Sequence, residues 1–314
     1  MAIERIVSGM RPTGSLHSSD YNEVLKNWIE LQHENDCLFF VADWHALTTH
    51  YDSPEIIENS VLEMVIDWLA AGVDPAQVTI FIQSKVPEHA ELYTLLSMIT
   101  PLSWLERFSS IKDEQQESSS KDLSTYGFLG YPLLQSADIL LYKATQVPGD
   151  KNQLPHIEFT REVASRFNHL YGEEKGYEAK AEEAIKKLGS KKGHLYRELK
   201  NSYQEDNDDE ALESAQSLID EEQSLSLGDK ERLLGFLEGG GKIILPEPEF
   251  SLMKKNSSSE ISINRNSSDY KKKKQQYLDN PDLIRSVIAD GCEKARKIAK
   301  DTMRDIREEM GINF

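Results

Sequence analysis

Three short apolar segments separated by helical patterns constrain the fold of this chain more than any other feature. The segments are RIVSGM at 5–10, CLFFVAD at 37–43 and VTIFIQSKV at 78–86. Each is short enough to be a buried strand, and the stretches between them are long enough for helical crossovers. Because strands joined by helices usually pair in parallel, this order predicts an α/β fold with a parallel sheet.

Helical periodicity marks the connections between these segments. In the first long crossover, seven apolar residues recur on one helical face: Ile56, Ile57, Val61, Leu62, Val65, Trp68 and Leu69. A second apolar helix is predicted from about Gly130 to Tyr142, and VPGDKNQ follows it as a turn. The next helix, HIEFTREVASRFNHLYG, ends the part of the chain that builds the sheet.

Composition shifts divide the chain into four predicted regions. Residues 1–172 contain the strands, and 173–248 have the pattern of a helical insertion with charged faces. Ten of the twenty residues from Ser251 to Tyr270 are Ser or Asn, and Lys271 to Lys274 follow. This composition predicts a linker over 249–276. Residues 277–314 carry an apolar stripe that begins after Asn280 and ends at Gly311, which predicts a long C-terminal helix.

Charge and cysteine content narrow the possible functions. The net charge of −18 argues against a general binder of polyanions. The two cysteines, Cys37 and Cys292, lie far apart, which favours a reducing compartment and argues against a disulfide framework or a thiolate metal site. The first residues lack an export signal, and no apolar run approaches the length of a membrane span. We therefore expect a cytoplasmic protein without membrane contact and without a metal site of its own.

Several separated motifs together resemble the tryptophanyl-tRNA synthetases, a class I family. They are SGMRPTGSLH, YNEVLKNW, FFVADWHALTTH, IDWLAAGVDP, FIQSKVPEHAEL, GYPLLQSADILLY and HIEFTREVASRFNHLYG. The resemblance covers most of 5–248 and returns from about 277 to 311, and it is closest to the longer bacterial form. It implies a Rossmann-type parallel sheet with a helical insertion and a C-terminal helical domain. It also implies a homodimer that forms tryptophanyl adenylate from tryptophan and MgATP and then charges tRNA(Trp).

The residues that contact tryptophan in the family are largely present in this sequence. By resemblance, the carboxylate of Asp138 accepts the indole N–H, and Tyr131 forms part of the pocket wall. Indole is a hydrogen-bond donor only, so a buried acceptor meets its requirement. His45 matches the position that helps to hold the amino-acid end of the substrate, and Gln135 and Gln153 complete the set. These five residues predict a retained pocket for tryptophan or a related indole.

The turn after the first strand departs from the family's nucleotide-binding pattern. The family usually has His or Thr, an apolar residue, Gly, then Asn or His, with a further Gly soon after. This chain has His17, Ser18, Ser19 and Asp20, with Glu23 in place of the later glycine. Only His17 is retained as a catalytic candidate, and Asp20 adds a negative charge near the expected polyphosphate. Three preceding residues belong to the same predicted nucleotide site: Arg11, Pro12 and Gly14.

Two further nucleotide motifs also differ. Where the family has Val, Gly, Glu, Asp, Gln, this chain reads GDKNQ from Gly149, so that Asp150 and Asn152 are departures. The string nearest to the family's mobile lysine loop is LMKKNSSSEI, in which Met253 and Lys255 align at best. Lys255 is therefore a weak candidate for the catalytic lysine.

These patterns lead to three functional hypotheses. The sequence favours a synthetase-like protein that binds tryptophan or an indole but has impaired or absent ATP-dependent adenylation. The first alternative is an active tryptophan-tRNA ligase that uses ATP and Mg²⁺ despite the altered motifs. The second alternative is a non-catalytic interaction module built on the synthetase fold.

Overall fold

All five strands that the computed structural model describes run parallel in one sheet, in the order β3-β2-β1-β4-β5. The described residues are 4–13, 19–108, 125–172, 176–206, 208–237, 241–253, 263, 265 and 267–312, with the backbone alone at 19–21, 205, 206, 209 and 227. The strands are β1 (Arg5–Met10), β2 (Asp36–Val41), β3 (Thr79–Ile82), β4 (Gln146–Gly149) and β5 (Glu249–Leu252). The predicted α/β class is confirmed.

Helices connect the strands, and further helices follow the fourth strand. Between β1 and β4 they are α1 (Ser19–Leu31), α2 (Asp43–His50), α3 (Glu55–Ala71), α4 (Glu88–Ser97), α5 (Leu102–Leu105) and α6 (Tyr126–Leu140). After β4 come α7 (Leu154–Tyr171), α8 (Tyr177–Lys187), α9 (Gly189–Asp206), α10 (Asp209–Asp220) and α11 (Leu227–Leu237). The last two are α12 (Ser268–Leu278) and α13 (Pro281–Glu309), and short 3₁₀ turns occupy Gln83–Lys85 and Lys151–Gln153. No helix in these ranges is long and apolar enough to cross a membrane.

The chain divides into two compact units. One comprises residues 1–163 and 247–303, and the other comprises 164–246 and 304–314. In the second unit, a helical core gathers apolar side chains of α8 to α11 around the fully buried Tyr196, whose hydroxyl donates to the carbonyl of Leu233 at 2.5 Å. The four regions proposed from composition remain a prediction.

Aromatic side chains fill the core on one face of the sheet. Trp28 of α1 stacks on Phe39 of β2 with ring centroids 4.1 Å apart, and Trp68 of α3 meets Trp28 edge to face at 4.8 Å. All three rings are fully buried. Large buried aromatic side chains dominate core energetics, so this cluster anchors α1 and α3 to the sheet.

Helix α13 approaches strand β3 through a glycine. A Cβ atom built on Gly291 would lie 1.8 Å from the carbonyl oxygen of Ile80, a backbone atom that cannot move away freely. We expect Gly291→Ala to lower the free energy of unfolding by about 1–3 kcal/mol, because the added methyl group overpacks this contact. Denaturant unfolding measures the change. Gly127→Ala is the matched control, since its Cβ would meet nothing within 4 Å, and equal stability losses in the two variants would contradict the prediction.

The predicted linker contains ordered elements. Residues 249–276 include β5 and most of α12, and two of their side chains reach the buried carboxylate of Asp67 on α3. Arg265 donates from Nε and Nη2 to its two oxygens at 3.1 and 2.8 Å, and the hydroxyl of Tyr270 donates to the same group. A buried carboxylate needs such partners, so this segment is held by a paired charge as well as by apolar contact.

Candidate functional site

The order in which strands are added to the sheet reverses between β1 and β4, and a cavity lies at this point. Successive strands are added on one side of β1 to give β2 and β3, whereas β4 and β5 lie on its other side. Ligands of open α/β sheets bind at the carboxyl ends of strands at such a switch point. The cavity has a volume of about 330 Å³, within the range of small-molecule sites, and both strands contribute three residues each to its wall.

Glycine shapes the floor of this cavity. A Cβ on Gly9 of β1 would lie 2.4 to 2.8 Å from ring atoms of Phe40 on β2, and both residues line the cavity. On β4, a Cβ at Gly149 would lie 2.4 Å from Oε1 of Gln153, another lining residue. These two positions leave room for the neighbouring side chains only because they carry no side chain of their own.

All five residues of the predicted tryptophan pocket line this single cavity. They come from α2, α6 and the 3₁₀ turn after β4: His45, Tyr131, Gln135, Asp138 and Gln153. More than a hundred sequence positions separate the first of these residues from the last, and the fold brings all five together. Their individual roles toward a ligand remain predictions.

Only some of the residues predicted for the nucleotide site line this cavity. Arg11 and Asn152 line the same cavity, whereas Pro12 and Asp150 are not part of its wall. Asp150 caps the 3₁₀ turn, accepting from the backbone N–H of Asn152 at 3.2 Å. Ser19 and Asp20 begin α1, where the backbone alone is described. Three other predicted residues lie outside the described part of the chain: Gly14, His17 and Lys255.

Asp138 is the electrostatic centre of the site. Its carboxylate is almost fully buried, at 1% exposure. Oδ1 accepts from Nε2 of Gln83 at 2.7 Å and from Nδ1 of His89 at 2.6 Å, and Oδ2 accepts from Nε2 of His45 at 2.7 Å. Burial alone raises the pKa of this carboxyl, but the charge of His45 and the hydrogen bonds from both histidines hold the pKa below its usual value. Asp138 is therefore an ionised acceptor.

The hydrogen bonds leave Asp138 with one acceptor position. A carboxylate offers about four lone-pair sites, and three are filled by the described donors. The free site lies on Oδ2, and Asp138 is part of the cavity wall. His45, expected from the resemblance at the amino-acid end of the substrate, lies directly against the carboxylate predicted for the indole. The arrangement can accept one further N–H or O–H donor from a ligand.

Three buried polar residues near Asp138 were not predicted from the sequence. Gln83 and His89 are fully buried and donate to Asp138, and His89 Nε2 is 2.7 Å from the hydroxyl of Tyr142. Tyr142 follows Asp138 by four residues, a spacing that could have suggested a shared face. Gln83 and His89 are separated from Asp138 by 55 and 49 residues, and no periodic pattern links them to it.

His156 forms another part of the wall that the sequence did not indicate. Its ring lies between Phe108 and Tyr131, with centroids at 4.8 and 5.6 Å. Burial, and then the charge of His45, lower the pKa of His156 to about 4, so the imidazole is neutral near pH 7. Its Nδ1 is buried and has no hydrogen-bond partner among the described residues. The wall at this point is therefore aromatic and uncharged, which suits a flat apolar ring.

The described residues contain no group of three or more His, Cys, Asp or Glu side chains that could hold a metal ion. A Mg²⁺ ion that arrives with ATP is commonly held by phosphate oxygens, water and one or two carboxylates.

Comparisons with known proteins show which family this chain resembles. A family model described as tRNA synthetases class I (W and Y) matches residues 4–190. The chain is 47% identical to a tryptophan-tRNA ligase of Ralstonia nicotianae, with 99% of each chain covered, and 32% identical to that of Rickettsia conorii, with 98% of each covered. A crystal structure of tryptophanyl-tRNA synthetase from Campylobacter jejuni, in complex with ADP and tryptophan, is similar with a TM-score of 0.64 and 25% identity, covering 98% of this chain and 99% of that one.

The alignment with the Ralstonia relative also shows a difference in length. It runs over 396 positions, whereas this chain has 314 residues. Gaps must therefore open within this chain, and the relative has many residues without a counterpart here.

Proposed function

The chain belongs to the tryptophanyl-tRNA synthetase family of class I synthetases, and from this premise we propose that it is a tryptophan-tRNA ligase. It would activate tryptophan with ATP and transfer the amino acid to tRNA(Trp). The similarity to the Ralstonia ligase over nearly the whole of both chains supports this function. It favours an active ligase over the sequence-based hypothesis of impaired adenylation.

The observation that carries the proposal is the cavity at the switch point, which gathers the five tryptophan-site residues around a buried, ionised carboxylate. In this proposal the indole ring lies along the aromatic wall of Tyr131 and His156, and its N–H donates to the free position on Asp138. Gln153, at the exposed end of the cavity, would contact the amino-acid end. The substrate carboxylate then points toward the carboxyl ends of β1 and β4.

The chemistry requires that end of the cavity to hold a nucleotide. An oxygen of the tryptophan carboxylate attacks the α-phosphorus of ATP, a new P–O bond forms, and the bond to pyrophosphate breaks. Catalysis of such a transfer rests on positioning and on stabilisation of the phosphate charge. Three described groups could stabilise the phosphate charge: the cavity-wall residues Arg11 and Asn152, and the N-terminus of α1.

A second candidate function is a tryptophan-binding protein with little or no adenylation. Asp20 and Glu23 on α1 introduce carboxylates where the family carries uncharged or basic residues and glycine. The weak match to the mobile lysine loop points the same way. In this case the tryptophan half of the cavity would serve as a binding site only. A homodimeric assembly, a cytoplasmic location and binding of tRNA(Trp) remain proposals that follow from family membership.

Tryptophan-dependent exchange of labelled pyrophosphate into ATP tests the choice between the two functions. We expect exchange above the rate measured without tryptophan, because the reverse of adenylation returns pyrophosphate to ATP. Tyrosine in place of tryptophan is the substrate control, and calorimetric binding of tryptophan to the same preparation is the control for folding. Clear tryptophan binding without exchange would reject the ligase and support the second candidate.

A further inference from the structure

Asp138, His89 and Tyr142 form a buried chain of three polar side chains that leads away from the cavity. His89 donates from Nδ1 to Oδ1 of Asp138 at 2.6 Å, and its Nε2 lies 2.7 Å from the hydroxyl of Tyr142. Both His89 and Tyr142 are fully buried. Neither residue lines the cavity, so neither can touch a ligand there.

The hydrogen bonds fix which nitrogen of His89 carries a proton. An ionised carboxylate accepts and cannot donate, so Nδ1 must donate to Asp138. In the neutral ring, Nε2 is then an acceptor, and the hydroxyl of Tyr142 donates to it. Burial, followed by the negative charge of Asp138, raises the pKa of Tyr142 well above its usual value, which keeps this hydroxyl protonated.

Apolar packing holds the imidazole in place. The rings of Phe40, Phe81 and Tyr142 surround His89, with centroids 6.0, 6.0 and 5.3 Å from its own. With its ring held by these contacts and both nitrogens bonded, His89 has little freedom to rotate. The carboxylate of Asp138 is consequently fixed in its plane, with its one free acceptor site on Oδ2.

We propose that His89 and Tyr142 are positioning residues that orient the carboxylate of Asp138 and thereby set the selectivity of the cavity for a ligand carrying a ring N–H. The inference rests on the proposed function, in which that ligand is tryptophan. A site built to pair with an N–H rejects an analogue that lacks it, because the acceptor is then left buried and unpaired. This rejection is strong only while the acceptor is held in one orientation.

The selectivity can be measured with two ligands of nearly equal shape. One is tryptophan, and the other is β-(benzothiophen-3-yl)alanine, in which sulfur replaces the indole N–H. The ratio of their dissociation constants, measured by calorimetry, reports the N–H contact. A general loss of protein stability would weaken the binding of both ligands and leave this ratio unchanged.

Tyr142→Phe is the mildest change, because it removes only the hydroxyl. We expect the preference for tryptophan to fall about 3- to 10-fold, the effect of one hydrogen bond of ordinary strength. His89→Leu should lower it further, and His89→Asn, which keeps an N–H donor near the position of Nδ1, should restore part of the loss. In an Asp138→Asn background, Tyr142→Phe should have no additional effect on the ratio.

Tyr196→Phe is the matched control, since Tyr196 is also fully buried and its hydroxyl bond to Leu233 lies in the other unit. It should reduce stability and leave the ratio unchanged. If Asp138→Asn lowers the ratio but Tyr142→Phe and His89→Leu do not, the positioning role is rejected and the proposed substrate stands. If the unaltered protein binds no tryptophan or shows no preference for it, both the substrate and the positioning role are rejected.

Discussion

Replacement of Asp138 by asparagine is expected to weaken tryptophan binding by about 10- to 100-fold, because a hydrogen bond to a charged acceptor contributes about 1.5–3 kcal/mol. The amide would also lower stability. Gln83, His89 and His45 all donate to this side chain, and the amide has one acceptor oxygen and an NH₂ group that faces donors. At least one buried donor is therefore left unpaired, at a cost of about 1–3 kcal/mol. Calorimetry with tryptophan and denaturant unfolding measure the two effects.

Asp290→Asn provides the control for the change in charge, because Asp290 is exposed on α13. It should alter neither tryptophan affinity nor stability appreciably. Unchanged affinity in Asp138→Asn would mean that the ligand does not use this carboxylate, and the proposed placement of the indole would be wrong.

The sheet was only partly predictable from the sequence. Strands β2 and β3 carry nearly continuous apolar runs, and β1 carries a shorter one, because helices cover both faces of a parallel sheet. Strands β4 and β5 are four residues each and lack such runs, and three residues of β4, Val147–Gly149, were predicted as part of the turn VPGDKNQ. Strand β4 nevertheless pairs with β5 over the full length of both strands. The switch point between β1 and β4 therefore could not be located from apolar periodicity.

The helix and strand residues within 249–276 are a second feature of the fold that could not be predicted from the sequence. A Ser- and Asn-rich composition is typical of linkers, and a buried ionic contact leaves no local pattern. Arg265 and Tyr270 meet Asp67 across about two hundred residues of chain. Charged side chains are usually exposed, so the sequence gives no reason to expect this pairing.

The candidate site, too, was only partly predictable from the sequence. Asp138 was identified by resemblance, because one acid must meet the indole N–H. The groups that hold it come from three other elements, at 45, 83 and 89, and only the fold brings them together. The stacked rings of Phe108, Tyr131 and His156, of which the last two line the cavity, likewise combine residues of three segments. Single ligand contacts can be predicted from motifs, whereas the hydrogen-bonded environment that tunes them depends on tertiary structure.

The triple variant Ser19→Gly, Asp20→Asn and Glu23→Gly is expected to raise ATP affinity by about 10-fold or more. Two like charges about 4 Å apart repel by about 1 kcal/mol in water and by several kcal/mol in a partly dry site. The variant removes two carboxylates from the start of α1, where helix geometry favours phosphate binding. Calorimetric titration with MgATP and the rate of pyrophosphate exchange measure the result, and exchange should rise with affinity.

Acidic residues at a helix N-terminus also stabilise the helix, and glycine at position 23 lies within α1, so the same variant should lose about 2 kcal/mol of stability. Asp269→Asn separates the two effects, because Asp269 occupies the first turn of α12 and lies outside the cavity wall. That control should lose only the part of this stability that comes from a charge at a helix N-terminus, and it should leave ATP affinity unchanged. If the triple variant instead binds ATP no better than the unaltered protein, repulsion by Asp20 and Glu23 does not limit nucleotide binding. The main physical argument for impaired adenylation would then be removed, and any shortfall in exchange would have to come from the second altered motif, with its departures at Asp150 and Asn152, or from the altered lysine-loop segment.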